Sequence, residues 1–99
     1  MKEIKAYRGY TRSILFNFSL KGIDSLDGYD AVFVVKRADD VNTNLIEVTA
    51  PVSDQQAQIE ITDKQNDLSE NEYAAAIYVT NGSKSYPADK YIYKIENFI

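Results

Sequence analysis

Ninety-nine residues, 44% apolar and 26% charged, are the ordinary mix of one globular domain, enough for a single core and too few for a separate substrate domain. The chain has no cysteine and no histidine, which excludes thiol nucleophiles, disulfides, imidazole bases and Cys/His zinc sites. Eleven basic residues against 15 acidic ones give a net charge of −4, a poor balance for general binding to nucleic acid or anionic membrane.

Apolar residues recur with a period of two almost throughout, the signature of strands. An opening strand is expected at about 2–7. Residues 13–20 then place Ile14, Phe16, Phe18 and Leu20 on one face. Asp27-Gly28 marks a turn, and 29–37 sets Tyr29, Ala31, Phe33 and Val35 against Val32 and Val34. Both faces of that strand are apolar, so it is expected at the centre of a sheet. Residues 39–44 read as a polar loop, and 45–50 alternate Ile46, Val48 and Ala50 against Leu45, Glu47 and Thr49. Residues 57–62 direct Ala57, Ile59 and Ile61 inward. Thr62 or Asp63 then caps one short helical turn near 63–68, which crosses between sheets. Residues 72–80 carry Tyr73, Ala75, Ile77 and Val79 on one face. Asn81-Gly82 predicts a type I′ hairpin turn, and Pro87 a bulge at the entry to a last strand carrying Tyr91, Tyr93 and Ile95. Seven short strands at intervals of roughly 8–12 residues imply an all-β fold, a seven-stranded immunoglobulin-like antiparallel β-sandwich filling residues 1–99 as one domain.

Motifs for chemistry are weak. Asp40-x-Asn42-x-Asn44 imitates the start of a calcium loop, but Leu45 and Pro51 stand where Gly and Glu are needed. Asp24, Asp27 and Asp30 recur at three-residue spacing, but Asp24 and Asp27 fit turn capping around Gly28 better than acid–base work. We therefore expect no enzyme, no catalytic residues, no metal and no cofactor. The N-terminus is polar from the start and no apolar run is long enough for a membrane helix, so synthesis in a cytoplasm is expected.

Two features point to a contact surface. Eight tyrosines are many for this length, and Tyr7, Tyr10, Tyr78 and Tyr86 fall at positions expected to be exposed. Residues 1–21 hold Lys2, Lys5, Arg8, Arg12 and Lys21 against Glu3, a local +4, whereas residues 22–99 sum to −8. Lys2, Lys5, Tyr7, Arg8, Tyr10 and Arg12 are accordingly the candidate interface, for a protein rather than a nucleic acid.

The order of Arg8-Gly9-Tyr10-Thr11, the strand from Ile14 to Phe18, Ile23 through Lys36 around Asp27-Gly28, Ile59-Glu60-Ile61-Thr62, and Tyr73 to Gly82 resembles the small Ig-like β-sandwich modules of tailed bacteriophages. It is similar in particular to the N-terminal domain of baseplate upper proteins. Tyr10, Gly28-Tyr29 and Asn71-Glu72-Tyr73 depart from that family's Arg-Gly-Asp-Thr, Gly-Ala and Gly-x-Tyr patterns. The resemblance implies a virion structural protein, a capsid decoration or a tail or baseplate connector. Its partners would be other virion proteins, with a homo-oligomer possible and neither nucleic acid nor membrane bound. A carbohydrate-binding or host-surface module, or a small inhibitor of a host defence protein, is the alternative.

Overall fold

The computed structural model describes residues 2–99. Seven strands run in chain order: β1 Lys2–Tyr7, β2 Arg12–Asn17, β3 Asp30–Arg37, β4 Asp40–Pro51, β5 Gln56–Ile61, β6 Asn71–Thr80 and β7 Ser85–Glu96. Five form one sheet in the order β1-β7-β6-β3-β4, and β2 pairs with β5 in the other. The two layers make a β-sandwich. The inward-facing sets expected from period-two alternation are the interior: Phe16, Phe33, Ile59, Ile61, Ile77, Val79, Tyr93 and Ile95 are all buried. β3 lies between β6 and β4, as its two apolar faces require.

No disulfide crosses the sandwich. Aromatic rings span it instead. Phe16 of β2 meets Phe33 of β3 at 5.6 Å between centroids, and Phe33 meets Tyr93 of β7 at 5.9 Å. At the start of β6 the Tyr73 hydroxyl donates to the carbonyl of Ser69, 2.7 Å away, pinning the crossing from β5.

Three local expectations are corrected. The pairing is not wholly antiparallel, because β1 runs parallel to β7, Lys2 opposite Tyr91 and Tyr7 opposite Glu96. These strands lie at opposite ends of the sequence, so no hairpin sets their direction. The polar loop at 39–44 is instead the start of β4. Arg37 pairs with Asp40 around a tight turn, and register shifts on either side of Lys36 absorb the extra residues. The single helical turn expected near 63–68 is present as one α-turn, closed by Asn66 N–H donating to Thr62 O at 3.0 Å. Its cap is reciprocal: Gln65 N–H donates to Thr62 Oγ1 and Thr62 N–H to Gln65 Oε1, a capping box with no helix behind it.

The third correction concerns the hairpin turns. Asn81-Gly82 does join β6 to β7, but only Gly82 takes a positive φ, whereas a type I′ turn needs two. Asn81 acts through its side chain, whose Oδ1 accepts from the N–H groups of Ser83 and Lys84. The doubly positive turn is at Asp54 and Gln55, with φ of 53° and 61°, between reciprocal backbone bonds of Ser53 and Gln56. Gln55 is held there because its carbonyl accepts from Phe18 N–H and its Oε1 from Leu26 N–H. The bulge expected near Pro87 is present, as Tyr78 pairs with Pro87 while Ile77 pairs with Asp89.

Candidate functional site

β1 ends at Tyr7, beside Glu96 at the end of β7, and the 8–11 turn then crosses to β2. At this end of the sandwich Tyr7, Tyr10 and Phe98 form an exposed aromatic cluster. The Tyr7 and Phe98 rings meet edge to face at 5.3 Å, and the Tyr10 and Phe98 rings are 5.3 Å apart with a 40° tilt. Their exposures of 40%, 51% and 61% contrast with the buried aromatic rings of the core.

A buried residue fixes this surface from below. Asn66 is wholly buried, and its four polar atoms are all used. Its N–H closes the α-turn, and its carbonyl accepts from Gly9 N–H at 3.1 Å. Its Nδ2 donates to the carbonyl of Tyr10 at 2.7 Å, and its Oδ1 accepts from the Tyr93 hydroxyl at 2.6 Å. The turn carrying Tyr10 is therefore bound at two backbone points to a residue anchored in the core. Arg8 adds an exposed bridge to Asp67 at 3.0 Å.

The candidate residues divide. Tyr7, Arg8 and Tyr10 come together at this end, joined by Phe98, which the sequence reading missed because it follows the last strand pattern. Lys2 lies at the far end of β1, roughly 16 Å along the strand, paired with Asp89 and over the Tyr91 ring. Lys5 pairs with Glu96 at 3.2 Å. Arg12 donates to the carbonyls of Lys5 and Ser13, at 2.9 and 2.6 Å. Four of the five cations of the basic segment thus have partners within the chain, so the aromatic rings are its more available feature. Tyr78 and Tyr86 are half-buried.

The ion pairs shift their members as expected: the Lys2 ammonium holds Asp89 below the usual carboxylate range, and Asp89 and Glu96 raise Lys2 and Lys5. Burial pushes the Tyr93 hydroxyl up to about 12. A phenol that ionises more readily when unfolded makes folding less favourable as pH rises through 10. The protein should lose about 1.4 kcal/mol of stability per pH unit between its unfolded and folded values from Tyr93 alone. Urea unfolding at pH 9, 10 and 11 checks this; Tyr93→Phe should flatten the decline, and an unchanged slope refutes the assignment.

A cleft of about 240 Å³ opens beside β2 and β7, lined by Phe16, Phe18, Leu20, Ile77, Asp89 and Tyr91 among others. Its carboxylate is Asp89, already paired with Lys2. Among the described residues no group of acidic side chains has a metal-holding arrangement, and no helix is long and apolar enough to cross a membrane.

No protein-family model matches this chain, and no curated protein matches it. Solved structures do. A marsupial T cell receptor superposes with a TM-score of 0.59 at 8% identity, over 98% of this chain and 50% of that one. The natural killer cell receptor NKp44 does so at 0.52 and 12% identity, over 96% of this chain and 97% of that one. The fold is immunoglobulin-like. A structure of VGSC beta subunits, described for multimeric cell-adhesive interactions, matches at 0.52 and 12% identity, covering 97% and 92%. The chain spans half the length of the T cell receptor chain, and identities this low carry architecture alone. Within that architecture the Tyr73–Ser69 bond is a tyrosine corner. Ala75, two residues further on, stands where disulfide-bonded immunoglobulin domains place their second cysteine.

Proposed function

We propose that this domain is a non-enzymatic protein–protein interaction module whose contact centres on Tyr7, Tyr10 and Phe98, with Arg8 at the rim. The observation that carries the reading is an exposed aromatic cluster held by a fully satisfied buried residue. Aromatic side chains with adjacent arginine dominate binding energy at protein interfaces, and a surface rigid before binding loses little entropy on contact. The receptor and cell-adhesive roles of the similar solved structures accord with a recognition module. Steeply inclined rings are a poor platform for stacking a sugar, which disfavours the carbohydrate alternative.

At finer grain, the motif order shared with tailed-phage Ig-like modules supports a virion structural protein, made in the host cytoplasm and incorporated through this cluster into a capsid, tail or baseplate. The test is quantitative mass spectrometry of purified particles, with the chain supplied as wild type or as Tyr10→Ser/Phe98→Ser. The wild type should be present at fixed stoichiometry, with hundreds of copies meaning decoration and a few to a few dozen meaning tail or baseplate. The variant should fall at least about tenfold, since aromatic anchors each contribute on the order of 2 kcal/mol, while its melting temperature stays near wild type. Absence of the wild type from particles removes the virion reading. Full incorporation of the variant removes the aromatic contact.

A further inference from the structure

The outer face of the five-stranded sheet carries a second surface with its own logic. The strand register lays out three rows across β7, β6, β3 and β4: Pro87–Tyr78–Val32–Thr49, Lys90–Ala76–Val34–Glu47 and Ile92–Ala74–Lys36–Asn44. The two central strands are apolar in the first two rows. Val32 is only 6% exposed although it lies outside the interior cluster, packed among its neighbours on the sheet surface. All seven strands belong to the two layers of the sandwich, leaving none to cover this face. Charge sits at its flanks, lysine on β7 and glutamate on β4. Lys90 and Glu47 are exposed, and neither forms an ion pair among the described residues.

We propose that this face pairs two copies of the chain, face to face about a two-fold axis parallel to the strands. Such an axis lays β7 of one copy over β4 of the other and β6 over β3. The middle row then meets itself reversed, so Lys90 faces Glu47 of the second copy at two symmetric points, and Ala76 packs on Val34. In the neighbouring row Tyr78 meets Val32. In the third, Ala74 meets Lys36, whose ammonium is drawn aside to its own Val41 carbonyl at 2.8 Å. The other face-to-face axis, across the strands, lays β7 over β7 and β4 over β4, opposing lysine to lysine and glutamate to glutamate. Charge therefore selects a second copy and one orientation of it.

Four strands about 4.8 Å apart and roughly seven residues long span on the order of 400 Å² per copy, about half of a standard interface. The pairing is accordingly weak and reversible.

Sedimentation equilibrium from about 10 µM to about 1 mM covers the range expected of so small an interface. The weight-average mass should rise from 11.2 kDa toward twice that value. Lys90→Glu and Glu47→Lys should each weaken association at least tenfold, and the double swap should restore it. Both side chains are exposed, and thermal melts confirm that each variant folds. Concentration-dependent NMR shifts should map to Val34, Ala76 and Tyr78. Tyr10→Ser/Phe98→Ser should associate as wild type does, which separates this surface from the aromatic cluster. A wild type that stays monomeric at about 1 mM overturns the proposal, as does a double swap that fails to rescue or association that needs Tyr10 and Phe98.

Discussion

Phe33→Ala is expected to cost about 3–5 kcal/mol, a large part of the roughly 5–15 kcal/mol that holds a small domain folded. Phe33 is fully buried in the central strand, with its ring between Phe16 of the opposite sheet and Tyr93 of β7, two strands away in its own sheet. In a disulfide-bonded immunoglobulin domain the two sheets stay tethered when such a ring is lost. Here no disulfide joins them, and the truncation opens a cavity beside Phe16, whose ring links the layers through Phe33 and Tyr91. At roughly 4–8 °C per kcal/mol for a domain of this size, the melting temperature should drop by on the order of 20 °C. Loss of less than about 1 kcal/mol by urea titration would show that the aromatic line does not hold the layers together.

That line was nearly legible in the sequence. Period-two alternation identifies Phe16, Phe33 and Tyr93 as inward-facing, because a strand has only two faces and one of them must be apolar. The same rule gave β3 its central place. It could not give the parallel pairing of β1 with β7, which joins segments separated by almost the whole chain and leaves no local trace. Turn geometry was legible only where composition signals it. Asn81-Gly82 advertises a hairpin, yet the doubly left-handed turn falls at Asp54-Gln55, where acceptance from Phe18 and Leu26 overrides an unfavourable local preference.

The candidate site divides the same way. Tyr7 and Tyr10 could be suspected from their type and their neighbours. The loss of free charge from Lys2, Lys5 and Arg12 depended on where Asp89, Glu96 and the backbone carbonyls of Lys5 and Ser13 came to lie. Phe98 stood outside every pattern. Asn66 is the instructive omission, an asparagine in a polar stretch that reads as a solvated turn. Its burial follows from long-range packing against Gly9, Tyr10 and Tyr93, which the local sequence does not encode.

Asn66→Leu should therefore act on stability and recognition together. The substitution keeps the number and branching of heavy atoms and removes one donor and one acceptor from a wholly buried position. The Tyr10 carbonyl and the Tyr93 hydroxyl are left without their partners, at about 1–3 kcal/mol each, so a loss of roughly 2–6 kcal/mol is expected. Adding Tyr93→Phe removes one stranded hydroxyl. The double variant should lose less than the sum of the singles, with a coupling on the order of 1–2 kcal/mol. Strict additivity would mean that the two groups are not bonded. Because Asn66 also holds the turn bearing Tyr10, the proposed virion role predicts that the folded fraction of Asn66→Leu incorporates into particles less well than wild type. Phe33→Ala, equally destabilised but with the turn intact, should incorporate in proportion to its folded fraction. Equal behaviour of the two variants at matched folded fraction would separate Asn66 from the contact and leave it a stability determinant alone.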